Sequence, residues 1–384
     1  MALRSVRRSK RGTGEARETD GLSRRTLRAV PSLPVDPSLP PTTGWLLRGK
    51  DGRLTAYAPG PEGVLRWTET RAGGPEWTGP ELFRAPGLVP YLAIAQDSDG
   101  YVQLVALRRT PAAGGEIATE VVQTIQYQSG RPMRDWYALG TPYPQDRALA
   151  AQIGLPAAVV DGEGSLHVFV RNAGGGVCGR SQVPNGKWNK WADFKGSGML
   201  GLPAAAATDH GLMEVLAPTD DVVMRWTQET AGVKFQRAAD ITASAANGSV
   251  TSERTGRERL THVWRDASSG TVHAWRAGMD PVALGGDGGS GPVALLRTPV
   301  DGRDCTILAQ RGKDGRPAIA AYPTEDETAG ADWTSTGEPC VGAPALAIDG
   351  NGRVVLAAFS ADGSLRVTRQ KAETGLAMGA WTRA

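Results

Sequence analysis

The sequence predicts an all-β protein: a seven-bladed β-propeller carried behind a basic, proline-tethered N-terminal arm. Three observations lead there. A unit of about 50 residues recurs from residue 44 to the end. Glycine is abundant, with 50 residues among 384, and falls at the turns between short apolar runs. The positive charge is confined to the first 30 residues, which hold nine Lys/Arg against three Asp/Glu; the remainder holds 34 against 37.

Residues 1–30 are Arg-, Ser- and Gly-rich with few apolar side chains, so they cannot build a core of their own. Arg4, Arg7, Arg8, Lys10, Arg11, Arg24, Arg25 and Arg28 suit an anchor that docks on an acidic surface of a protein partner. Nucleic acid is disfavoured, because no aromatic residues interleave with the basic ones. No apolar stretch follows the basic residues, so the reading is cytoplasmic synthesis without a secretory signal. Residues 31–43 form the linker, with prolines at 31, 34, 37, 40 and 41. Such spacing favours polyproline II, about 3.1 Å per residue, enough to hold arm and body about 30 Å apart.

The repeat occupies residues 44–384. Its third unit is the fullest. Leu155 to Val160 reads as a strand, Asp161-Gly-Glu-Gly164 as a turn, Ser165 to Arg171 as a second strand, Gly174 to Gly176 as a second turn, and Val177 to Gln182 as a third strand. Lys187-Trp-Asn-Lys-Trp191 begins an outer strand. The last unit repeats this order and ends with Trp381. The first-turn glycine recurs at Gly52, Gly100, Gly164, Gly211, Gly256, Gly302 and Gly352, in steps of 48, 64, 47, 45, 46 and 50 residues. The long step predicts extended loops at Thr110–Ile117 and Gln126–Arg134. Tight hairpins need positive φ, which glycine supplies without strain. One such four-stranded unit cannot bury its two faces, so the units must pack side by side around an axis. The last unit carries its own outer strand, so the ring should close without a strand exchanged between the ends, although residues 31–43 could add one.

The repeat Asp-Gly-x-Leu-x-Val-Phe, then a glycine turn, a short strand and Trp-x-x-Trp, resembles the PLL-like seven-bladed bacterial lectins. Ser165-Leu-His-Val-Phe169 and Trp188-Asn-Lys-Trp191 carry the likeness best; Trp77, Trp136, Trp333 and Trp381 are weaker echoes. The resemblance implies sugar pockets between neighbouring blades, with tryptophan packed on the sugar ring. A sugar's C–H face does stack on aromatic planes while polar groups hold its hydroxyls. Trp188 and Trp191 match best. Arg66-Trp67 and Arg225-Trp226 recur in equivalent strands and join them as candidates, with Trp77. Only the third unit keeps both tryptophans; the fourth offers Phe235 and the fifth no clear aromatic. Packing between blades is the competing role for every one of these rings.

Catalytic readings find less. The sialidase pattern Ser-x-Asp-x-Gly-x-Thr-Trp is absent, and no histidine lies in a Ser-His-Asp sequence motif. Asp97, Asp99, Asp161 and Asp349 sit where hairpin turns use aspartate, and they lack the spacing of a calcium loop. Two Gly-x-Gly-x-x-Gly runs, 196–201 and 286–291, fall at unit boundaries and not in a βαβ unit. No cofactor and no metal are expected, nor is a membrane span; Cys178, Cys305 and Cys340 are expected as reduced thiols. The favoured function is therefore non-enzymatic recognition of surface carbohydrate, presented on a larger assembly through the arm. The alternatives are a protein-docking propeller of a virion, phage-tail-like or injection-type particle without sugar binding, and a glycosidase-like propeller enzyme.

Overall fold

A computed structural model describes residues 41–183 and 185–384. The arm, with its candidate docking residues Arg4 to Arg28, and most of the linker lie outside the described residues. What is described is a ring of seven antiparallel sheets, each built from consecutive strands. The first blade comprises Leu46–Arg48, Leu54–Gly60, Gly63–Glu69 and Trp77–Arg84. The second comprises Ala93–Gln96, Val102–Pro111, Ile117–Gln126 and Tyr137–Gly140. The third is Ala157–Val160, Leu166–Arg171, Val177–Ser181 and Ala192–Lys195, and the fourth Ala204–Ala207, Met213–Pro218, Val222–Thr227 and Gln236–Arg237, with Ile241–Thr242 pairing back on its third strand. The fifth is Thr251–Arg254, Leu260–Arg265, Val272–Trp275 and Val282–Ala283. The sixth is Ser290–Val300, Arg303–Arg311, Pro317–Pro323 and Thr334–Ser335, and the seventh Val341–Ile348, Val354–Phe359, Leu365–Arg369 and Thr382–Arg383.

The turn glycines explain the hairpins. Gly52, Gly100, Gly164, Gly211, Gly302 and Gly352 all have φ between 76° and 82°. Gly256 is the exception, outside the left-handed region. Its loop, residues 255–259, has the length of the loops at Gly52, Gly100, Gly164, Gly211 and Gly352 and closes in the same way, the Thr255 amide donating to the Arg259 carbonyl at 3.1 Å. Gly256 stands second in it, whereas those glycines stand fourth, so the positive φ is not asked of it.

The enlarged second unit differs from its sequence expectation. Thr110 and Pro111 are not in a loop but pair with Ala118 and Ile117, so the hairpin loop shrinks to residues 112–116. Pairing persists because cross-strand partners support it: Arg108 donates to Glu120 through Nε at 3.0 Å and Nη2 at 2.6 Å. Part of the extra length is a connection that carries the short helix Arg147–Ala150. The outer strand of the third blade also starts later than expected, at Ala192, leaving Trp188 and Trp191 on the approach to it.

The first strands of adjacent blades pack around the axis. Among the described residues, ring closure uses side chains, with no strand exchanged between the ends. The Trp45 indole donates to the Ala343 carbonyl at 3.1 Å, and its ring lies 4.6 Å from that of Phe359. Thr43 Oγ1 donates to the Pro344 carbonyl at 3.0 Å, so the end of the linker already rests on the ring. The hydrophobic core is divided among the seams between blades, such as the group Leu54, Leu65, Trp67, Val355, Phe359 and Val367. That division follows from sheets that are apolar on both faces. All three cysteines are unpaired.

Candidate functional site

The tryptophans follow a pattern that only the assembled ring shows. Trp191, Trp333 and Trp381 each stand just before the outer strand of a blade. Each turns its indole N–H onto the outer edge of the preceding blade: Trp191 to the Leu139 carbonyl at 3.3 Å, Trp333 to the Leu284 carbonyl at 2.8 Å, and Trp381 to Thr336 Oγ1 at 3.1 Å. Glycines make room for two of these rings. A Cβ on Gly337 would come within 2.6 Å of Trp381, and one on Gly286 within 2.9 Å of Trp333. A second repeat works beside this one. Arg171, Arg265 and Arg311 close the second strands of three blades and donate Nε to the Met199, Gly291 and Cys340 carbonyls at 2.9, 2.8 and 2.9 Å. Each of those carbonyls lies at the entrance to the next blade. Both devices tie neighbouring blades together.

The sequence candidates divide on burial. Trp67 and Trp226 are only 1% and 2% exposed, so they have no free face on which a sugar could stack. Trp226 donates its indole N–H to the Phe194 carbonyl at 2.9 Å. Arg66 is equally buried, paired with Glu81 at 2.6 Å. Arg225 clasps Glu214 through Nε and Nη2 at 2.9 and 2.8 Å and lies over Trp275. Of these four residues, named as sugar contacts on sequence pairing alone, Arg66, Trp67 and Trp226 sit at core positions and Arg225 is half-buried in its ion pair. Trp77 is half-buried against the seam between the seventh and first blades. Trp188 and Trp191 remain half-exposed at the seam of the second and third blades. Arg180 lies over Trp188 and bonds the Asn189 carbonyl at 2.7 Å, and the 56% exposed ring of Tyr137 stands on the outer strand across the seam.

A wide cleft lies elsewhere, between the fifth and sixth blades. It encloses about 430 Å³ and is lined by Gly286, Asp287, Gln310, Lys313, Asp314, Trp333 and Ser335 among others. Trp333 provides a half-buried aromatic wall. Gln310, only 3% exposed, donates Nε2 to the Gly286 carbonyl at 3.2 Å and accepts from Arg265 Nη2. Arg265 bonds the Gly270 and Gly286 carbonyls as well, and burial pushes its guanidinium down to about 10. Asp287 accepts from Thr271 Oγ1 at 2.9 Å. The cleft thus combines one aromatic face with a fixed amide, an ammonium, two carboxylates and a hydroxyl, a set that can stack on a polyol and hold its hydroxyls.

Sequence reading named Trp333 only as a weak echo and missed Gln310, Asp287, Lys313 and Asp314. A signal was present. The residue before the recurring strand-end arginine is Val170 in the third blade and Trp264 in the fifth, but Gln310 in the sixth. A polar side chain at a buried strand position asks for a partner.

Two histidines do form serine–histidine–carboxylate chains that local sequence could not reveal. His167 bonds Ser181 Oγ and Asp161 Oδ2, both at 2.8 Å. His262 bonds Ser252 Oγ at 2.7 Å and Glu214 Oε2 at 3.1 Å. In each the carboxylate is committed elsewhere: Asp161 accepts the Glu163 and Ser165 amides, and Glu214 holds Arg225. Burial alone would raise the Glu214 carboxyl, but Arg225 and His262 outweigh it and hold the carboxyl at about 2. Asp97 and Asp349 likewise cap their own turns, accepting the Tyr101 and Arg353 amides. Among the described residues no group of three or more His, Cys, Asp or Glu is placed to hold a metal ion, and no helix is long and apolar enough to cross a membrane.

Seven consecutive antiparallel sheets around one axis define a seven-bladed β-propeller. The chain is similar to the BP39L lectin from Burkholderia pseudomallei, with a TM-score of 0.65 and 15% identity over 88% of this chain and 100% of that one. It is also similar to the Hadza microbial sialidase Hz136, with a TM-score of 0.51 and 13% identity over 71% of this chain and 63% of that one. A mutant of AofleA from Arthrobotrys oligospora aligns with a TM-score of 0.50 and 10% identity over 76% and 87%. No protein-family model and no curated protein matches the sequence. The likeness read from the repeats is thus shown at the level of the fold.

Proposed function

We propose that this protein is a lectin-like, non-enzymatic carbohydrate-binding propeller whose principal sugar site is the Trp333 cleft. The observation that carries the reading is the half-exposed Trp333 ring beside the buried, pre-oriented Gln310 amide in a cleft of about 430 Å³. That volume lies within the roughly 300–1,000 Å³ typical of small-molecule sites. Trp188, with Trp191 behind it, offers a second, shallower aromatic surface at an analogous seam. Single lectin sites are weak, and presentation in several copies raises avidity. Presentation on a larger assembly through residues 1–40 belongs to the same proposal. Deleting those residues should release the propeller from its assembly with sugar binding intact; unchanged assembly would remove the anchoring role.

The test of the site is a glycan array with the full chain, followed by titration of the best ligand against Trp333→Ala. Loss of one stacked aromatic is worth about 0.5–1.5 kcal/mol beyond its buried area, so affinity should fall roughly tenfold. Failure to bind any glycan at millimolar ligand sinks the reading. The sialidase among the similar structures makes release of free sugar from the bound glycans the necessary enzyme control; sustained turnover would replace lectin by glycosidase.

A further inference from the structure

The axis of the ring is an unassigned cavity of about 330 Å³. Its walls come from the first strands and their approaches: Ile94, Ala158, Leu202, Val250, Leu295 and Leu346 are representative. Pro41 to Gly44 also line it, so the described chain begins there. Among the described residues the wall contains no lysine, arginine or histidine side chain and one carboxylate, Glu253. The neighbouring polar groups of its strand are satisfied. Thr251 Oγ1 donates to the Val293 carbonyl at 2.9 Å, and Ser252 Oγ pairs with His262. Glu253 accepts only the adjacent Arg254 amide, at 3.1 Å, and has no ion-pair partner among the described residues. The cations nearest to it are committed elsewhere: Arg254 to Asp209 at 2.7 Å, and Arg297 to both oxygens of Asp304 at 3.0 Å.

Glu253 is half-buried at the channel wall, beside aliphatic side chains, and a cation that reaches it gains an ion pair that no described residue supplies. We infer that the central channel is a binding site for a small organic cation, a primary alkylammonium whose ammonium pairs with Glu253 and whose hydrocarbon stem lies along the aliphatic wall. The charge pattern selects the class. An anion would face an unpaired carboxylate with no donor side chain of positive charge, and a neutral chain would leave that carboxylate unmatched. The site is separate from the Trp333 cleft and independent of the carbohydrate reading.

The ionisation of Glu253 adds a readout. Burial pushes its carboxyl up to about 7, against the opposing effects of the Arg254 amide and the charges of Arg254 and Arg297; Tyr322 is the other titratable group facing it. Only the carboxylate pairs with ammonium, so affinity should fall about thirtyfold between pH 8 and pH 5.5.

The experiment is calorimetric titration of the full chain at pH 8 with hexylammonium, and with 1-hexanol and hexanoate as matched neutral and anionic probes. The expected result is saturable binding of hexylammonium at one per chain, with hexanol and hexanoate at least tenfold weaker. Glu253→Gln should lose at least tenfold in hexylammonium affinity, in line with the roughly 1.5–3 kcal/mol of a hydrogen bond to a charged group. Ala158→Phe, which fills the channel, should abolish that binding, whereas Trp333→Ala should leave it unchanged. Absence of saturable hexylammonium binding to the full chain overturns the inference, as does equal binding of hexanol. The wild-type probe series needs no variant to fold, so it decides the matter by itself.

Discussion

Glu214 and Glu253 show how the same side chain acquires opposite roles. Glu214 lies between Arg225 and His262, which outweigh burial and hold its carboxyl at about 2 against an ordinary 4.5. A lowered value in the folded chain means stability that is present above about 4.5 and lost as pH falls through about 2. Glu214→Gln should therefore destabilise the protein by roughly 1–3 kcal/mol at pH 7, with the difference shrinking toward pH 2. Glu253 is raised to about 7, so its contribution is complete below about 4.5 and lost as pH rises through 7. Glu253→Gln should match the parent at pH 4 and exceed it at pH 8. Urea unfolding of both variants across pH checks the signs; parallel pH profiles for the two would refute the assignment. Neither environment was legible in the sequence. Glu214 meets His262 from another blade, and Glu253 is desolvated by walls drawn from most of the ring.

At the scale of the element, the blades owe their shape to local chemistry and their attachment to a few recurring side chains. Six of the seven first-turn glycines adopt the positive φ that the hairpins demand. The strand-end arginines of three blades, Arg171, Arg265 and Arg311, then bind each of those blades to the next through backbone carbonyls. Arg265 is the most buried of them, at 3% exposed, and it also orients Gln310 in the cleft. Arg265→Lys keeps the charge but loses the planar fork, leaving buried acceptors unpaired. It should destabilise the fold by about 1–3 kcal/mol per orphaned group and weaken sugar binding together with stability. Denaturant unfolding and glycan titration on the same sample test this; unchanged stability would show that the arginine is dispensable. The sequence displayed these arginines at a fixed place after the second strand, but their partners lie 26 to 29 residues onward. The tryptophan pattern was visible too, and its meaning was not. Sequence similarity between strands placed Trp67 and Trp226 beside the outer tryptophans, whereas burial separates them.

Among the described residues the ring closes without a shared sheet. The first and seventh blades meet through Trp45, Thr43 and the stacking of Trp45 and Trp67 around Phe359. A seam of side chains should open before the hydrogen-bonded blades do. Trp45→Ala removes a large buried ring and should cost about 3–5 kcal/mol. Hydrogen exchange of that variant should quicken first in the strands Leu46–Arg48 and Val341–Ile348. Uniform acceleration around the ring would show that closure is not the weak point.

The sequence by itself determined the number of blades and the consecutive strands that build each one. Turn glycines, alternating strands and one outer strand per unit act over a few residues, so they can be read in order along the chain. Only the tertiary structure decided which tryptophans keep a free face, that Trp333 and Gln310 share a cleft, and that Glu253 is the one carboxylate of the channel among the described residues. Those properties depend on what neighbouring blades bury, and burial is a relation between surfaces that no single repeat contains.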